Sequence, residues 1–165
     1  MTSAYIPMGA FLVSKPIHDA LLDLPSDARF MHAYTNSAHP AASAVGLRNL
    51  QIFEDEHLVE RAAVLGERMS DGIRAGLEGH PHVTNIRNLG LIAGLTLVRN
   101  AAANEAYDAS EAVGGRVARH LREEREVITR FVGDQLVFAP PLASTDDDID
   151  FLVDAVTKSV RAITE

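Results

Sequence analysis

The sequence predicts an α+β fold for residues 58–165, in which helices cover an antiparallel sheet. Three observations predict it. Apolar residues recur at helical spacing over Leu58–Leu77, they alternate between two faces over Leu89–Val98, and the pair Gly133-Asp134 separates two short apolar runs. The predicted order of elements is helix, strand, strand, helix, strand, strand, helix.

Local signals set the ends of the predicted helices. The long helix that begins at Leu58 stops before Gly79 and Pro81. A second helix is predicted over Glu111–Glu126. Thr145 and Asp148 resemble a capping box, so the aspartates at 146–148 are interpreted as the start of the last helix and not as a metal site.

Two strand pairs form the predicted sheet. Val83–Arg87 and Leu89–Val98 follow the long helix, whereas Val127–Val132 and Gln135–Ala139 form a hairpin. Gly133 is the first residue of the two-residue turn in this hairpin, as a type II′ turn requires.

Residues 1–57 have a different pattern. Met8–Ser14 is a short apolar run that predicts a buried strand, and such a strand needs neighbouring strands that this sequence does not supply. A short helix is predicted over Asp19–Leu24. An irregular loop over Phe30–Ser37 then leads to a helix of mostly small residues, Pro40–Phe53.

Composition excludes several classes of function. The 165 residues carry 15 basic and 23 acidic side chains, a net charge of -8, which argues against a nucleic-acid or anionic-membrane partner. The absence of cysteine excludes disulfides and thiolate metal sites. No stretch approaches the roughly 18 apolar residues that a membrane helix needs. We therefore expect a soluble, cytoplasmic protein.

The stretch Phe30–Pro40 concentrates hydroxyl, imidazole and amide groups just before a helix that Pro40 can open. Helix N-termini favour anions, so the hydroxyl and backbone N–H of Thr35 are candidate phosphate donors. The alternative is that Thr35, Asn36 and Ser37 are ordinary turn and capping residues.

Arg130 is the second candidate. Strand alternation puts it on the same face as Ile128 and Val132, where a guanidinium needs an anionic partner. A substrate carboxylate would be held by two parallel hydrogen bonds. The alternative is an internal salt bridge. The histidines lack accompanying acidic or cysteine ligands at metal-site spacing, so no metal site is expected.

Four blocks resemble one enzyme family, in the same order along the chain. Phe30–Pro40 resembles the Gly-Tyr-Thr-Tyr-Ser-Gly-His-Pro segment of the class III (ω-amino acid, ornithine-type) pyridoxal-phosphate-dependent aminotransferases. Thr2–Ala10 resembles the stretch after their catalytic lysine, and Arg87–Leu91 resembles their Arg-Gly-x-Gly-Leu. Arg130–Asp134 with Phe138–Leu142 resembles their substrate-arginine hairpin.

This resemblance implies an α/β fold overall, of fold type I. Residues 1–57 would be the C-terminal end of the large cofactor-binding domain, and residues 58–165 the small C-terminal domain. Tyr34 and Thr35 would bind the pyridoxal 5′-phosphate of a neighbouring subunit, which makes the protein a homodimer with a shared active site. Arg130 would bind the substrate α-carboxylate.

The resemblance also has departures. The catalytic lysine of the family would fall just before Met1, so no catalytic residue is expected within this chain, which alone would be inactive. Asn36 stands where an aromatic residue is common, and Ala38 and Asn88 replace glycines. Because of Asn88, Arg87 is interpreted as structural rather than catalytic.

The function implied is transfer of an amino group from an ω-amino acid, amine or amino acid to a keto acid such as pyruvate. Two alternatives stay open. The chain is a non-catalytic fragment or pseudoenzyme domain that serves as a dimerisation module, or it is one part of a split or proteolysed enzyme.

Overall fold

A computed structural model describes the whole chain, Met1–Glu165. Its helices and strands are α1 (Lys15–Leu22), α2 (Pro40–Asp55), α3 (Leu58–Leu77), β1 (Val83–Leu89), β2 (Ile92–Leu97), α4 (Val113–Arg125), β3 (Arg130–Val132), β4 (Gln135–Phe138) and α5 (Asp146–Thr164), with a 3₁₀ turn at Ala109–Glu111. Contacts within the chain define two units, Met1–His57 and Leu58–Glu165. None of the helices is both long and apolar enough to cross a membrane.

The second unit contains one four-stranded sheet in the order β1-β2-β4-β3, and every neighbouring pair is antiparallel. Helices α3 and α4 pack against this sheet, and α5 packs against both of them. The predicted α+β layout is therefore confirmed.

The core of this unit lies between one face of the sheet and the helices. Strand alternation sends every second side chain of β2 and β4 to this face. The helices meet them with apolar side chains at three- and four-residue spacing. Fully buried members include Met69 and Ile73 of α3, Leu95 and Leu97 of β2, Val117 and Leu121 of α4, Leu136 of β4, and Val156 and Val160 of α5.

The hairpin of β3 and β4 turns at Gly133-Asp134, as predicted. Gly133 has a φ of +56°, the left-handed conformation that a type II′ turn requires at its first central position. The N-terminus of α4 also lies very close to this turn. A Cβ atom placed on Gly114 would lie 2.3 Å from the carbonyl oxygen of Gly133, so only glycine fits there.

The predicted capping box at the start of α5 is present. The hydroxyl of Thr145 accepts from the backbone N–H of Asp148, and the Asp148 carboxylate accepts from the N–H of Thr145 at 2.8 Å. The bonds from Thr145 hold the pKa of the Asp148 carboxyl below its ordinary value. The aspartates at 146–148 thus start a helix.

The strand predicted over Leu89–Val98 is wrong at its beginning. Leu89 is the last residue of β1 and pairs with Ile92, while Gly90, with a φ of +52°, and Leu91 form the turn between them. Leu91 is buried although it lies in the turn. The alternation of apolar residues therefore continues through the turn between β1 and β2. Periodicity alone could not reveal where one strand ends and the next begins.

The helix predicted over Glu111–Glu126 begins later, at Val113. Glu111 ends the 3₁₀ turn instead, where its carboxylate accepts from the backbone N–H of Asp108. Ala112, with a φ of +46°, separates this turn from α4.

The first unit corrects two predictions. Met8–Ser14 forms no strand, because the unit contains no other strand to supply ladder hydrogen bonds. The short helix is α1, which begins at Lys15 with Pro16 in its first turn rather than at Asp19. The only buried residues of the first unit are Thr2, Ala42 and Gly46, so this unit has no apolar core of its own.

Candidate functional site

The open face of the sheet carries Arg130. In β3 this residue pairs with Val137 of β4, whose neighbours along the strand, Leu136 and Phe138, point into the core. Val137 and Arg130 therefore point away from the core. The predicted face for Arg130 agrees with this register.

Arg130 is exposed and takes part in none of the ion pairs or side-chain hydrogen bonds of the structure. The internal salt bridge that the sequence left open is absent. A guanidinium without an internal carboxylate remains available to an external one. Val132 and Ile128 beside it are 60% and 85% exposed, which gives the arginine an apolar border.

Arg87 lies on the same open face. The register shifts between Thr84 and Arg87, and Asn85 there has a φ of +54°. A bulge of this kind re-aims the side chain that follows it. Arg87 donates to the carbonyl of Asn85 and to the side-chain oxygen of Gln135, both at 3.4 Å.

Sequence reasoning missed Gln135. The alternation of β4 was visible in the sequence and places Gln135 on the face of Arg130, but the contact with Arg87 depends on the strand order β1-β2-β4. That order comes from the pairing of β2 with β4, which local patterns do not reveal.

A cavity of about 430 Å³ in this unit lies beside the start of α5. Apolar groups of Val127, Phe138, Pro140 and Leu152 line it, and Asp148 is its one charged residue. Because it contains no cationic side chain, it does not suit a carboxylate ligand.

In the first unit, Tyr34 and Thr35 lie next to each other on the loop before α2, and both are exposed. The backbone N–H of Tyr34 donates to the Ser37 hydroxyl at 3.0 Å, and the N–H of Ser37 donates to the carbonyl of Tyr34 at 2.9 Å. This tight turn presents the hydroxyl and N–H of Thr35, which have no partner in the structure, to solvent. Two free donors near a helix N-terminus suit a phosphate.

Ala38 completes the turn with a φ of +56°. Glycine adopts this conformation freely, whereas a residue with a Cβ atom is strained by about 1 kcal/mol. His39 then caps α2, because its Nδ1 accepts from the N–H of Ala42 at 3.4 Å. The loop thus keeps the conformation that a glycine at position 38 would favour.

The two lysines of the chain are surface residues held by carboxylates on their own helices. Lys15 pairs with Asp19 at 2.6 Å and Lys158 with Asp154 at 2.8 Å. No group of three His, Cys, Asp or Glu side chains is arranged to hold a metal ion.

Comparison with known proteins gives a consistent family. The profile described as aminotransferase class-III matches residues 1–160. Adenosylmethionine-8-amino-7-oxononanoate aminotransferase of Nitratidesulfovibrio vulgaris is 36% identical over 100% of this chain and 30% of its own length. A probable mitochondrial gamma-aminobutyrate transaminase 3 of Oryza sativa subsp. indica is 32% identical over 100% of this chain and 32% of its own length.

The solved structures that superpose on this chain are also transaminases. A transaminase from the marine bacterium Virgibacillus superposes with a TM-score of 0.91 at 31% identity, over 99% of this chain and 37% of that one. An (S)-enantioselective omega-transaminase from Thermomicrobium roseum gives 0.90 at 34% identity, over 99% and 36%. The chain spans about a third of the length of the relatives it matches.

Proposed function

Because this chain belongs to the class III aminotransferases, we propose that it is part of a pyridoxal-phosphate-dependent enzyme that moves an amino group from an amino donor to a keto acid such as pyruvate. The donor is an ω-amino acid, an amine or an amino acid. Relatives named as transaminases of gamma-aminobutyrate and of 8-amino-7-oxononanoate support this reaction class.

The single observation that carries the proposal is Arg130, exposed on the open sheet face without an internal carboxylate. Its role is to bind the substrate carboxylate through two parallel N–H···O bonds and so to orient the amino or keto carbon. The apolar side chains of Ile128 and Val132 border that contact.

Pyridoxal phosphate supplies, when bound, the electron sink for moving the amino group. Thr35 would hold its phosphate with the hydroxyl and backbone N–H that have no partner in this structure, and Tyr34 would line the same loop. By the family resemblance, these donors serve the neighbouring subunit, so the enzyme is a homodimer with shared active sites. We assign it to the cytoplasm, since the lack of cysteine fits a reducing compartment.

Residues Met1–Glu165 alone are proposed to be inactive. The reaction needs a lysine that binds the cofactor and moves a proton. Lys15 and Lys158 are exposed and ion-paired on helices, which supports a catalytic lysine outside these residues.

Replacement of Arg130 by alanine in the complete enzyme tests the proposal. The kcat/KM for alanine should fall about tenfold to hundredfold, because a charge-assisted contact is lost, while kcat/KM for a simple amine such as 1-phenylethylamine changes little. Arg119→Ala, which removes an exposed α4 arginine that forms no ion pair, is the matched control. Equal losses for both substrates would show that Arg130 has a structural role only.

A further inference from the structure

The cavity beside the start of α5 contains a polar group that the fold leaves unused. Ser144 lines this cavity and is only 6% exposed. Its backbone N–H donates to the carbonyl of Pro141 at 3.0 Å, and its carbonyl accepts from Nη2 of Arg61 at 3.0 Å. Its hydroxyl has no hydrogen-bond partner, yet it keeps contact with solvent. Because the hydroxyl of a buried residue normally has a partner, this one is available to a ligand in the cavity.

Asp148 supplies the negative charge of the cavity. Thr145 donates to Oδ2 of this carboxylate from both its backbone N–H and its hydroxyl, each at 2.8 Å. Oδ1 has no hydrogen-bond partner, and Asp148 takes part in none of the ion pairs of the structure. Because the bonds from Thr145 lower the pKa of the Asp148 carboxyl, this group is ionised at neutral pH. An unpaired carboxylate oxygen therefore borders the cavity.

The rest of the cavity lining is mainly apolar. Val127 and Ile128 precede β3, Phe138 ends β4, and Leu152 lies on α5. Leu152 follows Asp148 by four residues, so the apolar side chain and the carboxylate share one face of the helix. The volume of about 430 Å³ lies within the range of small-ligand pockets, roughly 300–1,000 Å³. The cavity thus combines walls for a hydrocarbon body with acceptors for a charged donor.

We propose that this cavity is an accessory site for a primary ammonium ion with a hydrocarbon or aromatic body. The ammonium group donates to Oδ1 of Asp148 and to the hydroxyl of Ser144, and the body packs against Phe138 and Leu152. A primary ammonium has three N–H donors, so it can serve both acceptors. The net charge of -8 also favours a cation over an anion.

This site is separate from the substrate contact proposed above. Arg130 does not line the cavity, and neither lysine of the chain does. The ligand is therefore bound and not transformed there, so the inference goes beyond the proposed function and does not depend on it.

The test uses the full 165-residue chain, since the cavity lies within the unit that has its own core. Three probes that share a phenylethyl body are titrated at low salt: 2-phenylethylammonium, the uncharged 2-phenylethanol and the anion 3-phenylpropanoate. NMR follows the backbone amide shifts of Ser144 and Leu152. The ammonium ion should bind about threefold to fivefold more tightly than the alcohol, a modest factor because Asp148 is exposed. The anion should bind more weakly than the alcohol.

Four variants separate the contributions. Asp148→Asn keeps an acceptor for Thr145 but removes the charge, so the preference for the ammonium ion over the alcohol should disappear. Asp147→Asn has the same net charge, and Asp147 does not line the cavity, so this control should keep the preference. Ser144→Ala should weaken binding of the ammonium ion about twofold to fivefold, because one hydrogen bond is lost. Ala143→Phe fills the cavity from an exposed position and should weaken both probes.

Three results would overturn the inference: equal affinities for the ammonium ion and the alcohol, a preference for the ammonium ion that survives Asp148→Asn, or an equal loss of that preference in Asp147→Asn. Thermal unfolding shows whether each variant folds. If Asp148→Asn does not fold, the comparison of probes on the unmodified chain and the effect of Ala143→Phe decide the outcome. None of these results concerns Arg130, which is tested separately with substrates of the complete enzyme.

Discussion

We propose that Thr35 and Arg130 recognise two different anionic groups. Thr35 offers two neutral donors at a tight turn near the N-terminus of α2, which suits a phosphate. Arg130 offers a planar cation on a strand, which suits a carboxylate. Each matches one of the two anionic groups that an aminotransferase must hold.

Replacing Thr35 by valine in the complete enzyme should weaken the retention of pyridoxal phosphate about tenfold, since one hydrogen bond to a charged group is lost. Because a ligand that binds only the assembled dimer stabilises it, the thermal midpoint should fall only when cofactor is present. Equilibrium dialysis and thermal unfolding measure the two effects.

Thr35→Ser keeps the hydroxyl and is the matched control for this variant. It should retain cofactor nearly as well as the unmodified enzyme. If valine retains cofactor equally well, or if the active enzyme sediments as a monomer, then Thr35 is only a turn residue.

For single residues, the sequence was most informative where a residue's role depends on a local pattern. The face of Arg130 followed from alternation in a short hairpin, and the capping role of Thr145 followed from its spacing to Asp148. The orientation of Arg87 toward β4 could not be predicted, because it depends on the bulge at Asn85 and on the pairing of β2 with β4.

At the level of elements, α4 packs against the β3–β4 hairpin through two adjacent glycines, Gly114 and Gly115. Substitutions at these two positions can test how close the contact is. A Cβ atom on Gly114 would lie 2.3 Å from the carbonyl oxygen of Gly133, whereas one on Gly115 would contact the Phe131 ring at 3.4 Å. An alanine at position 114 would push the backbone of α4 away from the turn, whereas an alanine at position 115 would make an ordinary van der Waals contact.

Gly114→Ala should therefore destabilise the chain by about 1–3 kcal/mol, as overpacking does. Gly115→Ala should stabilise it by up to about 1 kcal/mol, since alanine fits the helical backbone there and has less conformational freedom in the unfolded chain. Urea unfolding of the two variants measures the difference. Similar stabilities for both would show that α4 does not approach the turn this closely.

The predicted strand at Met8–Ser14 illustrates the limit of local patterns for elements. Its composition suits a strand, yet a strand forms only with a neighbour, and the first unit has none. The helices α2, α3 and α5 were predicted well because their caps, breakers and apolar spacing are all local.

For the molecule as a whole, the two units differ in what stabilises them. The second unit buries a continuous core between sheet and helices, whereas the first exposes large apolar side chains such as Tyr5, Phe11 and Leu12. Exposed apolar surface of this extent marks a region that contacts other protein. This agrees with a chain that spans about a third of the length of its relatives.

We propose that these residues bind cofactor and substrate for a lysine that lies elsewhere in the enzyme. Borohydride reduction of the enzyme purified from its native source, followed by digestion and mass spectrometry, locates the lysine that carries the cofactor. We expect a phosphopyridoxyl group on a lysine outside Met1–Glu165 of the same subunit. A cofactor fixed on Lys15 or Lys158, or on no lysine at all, would contradict this proposal.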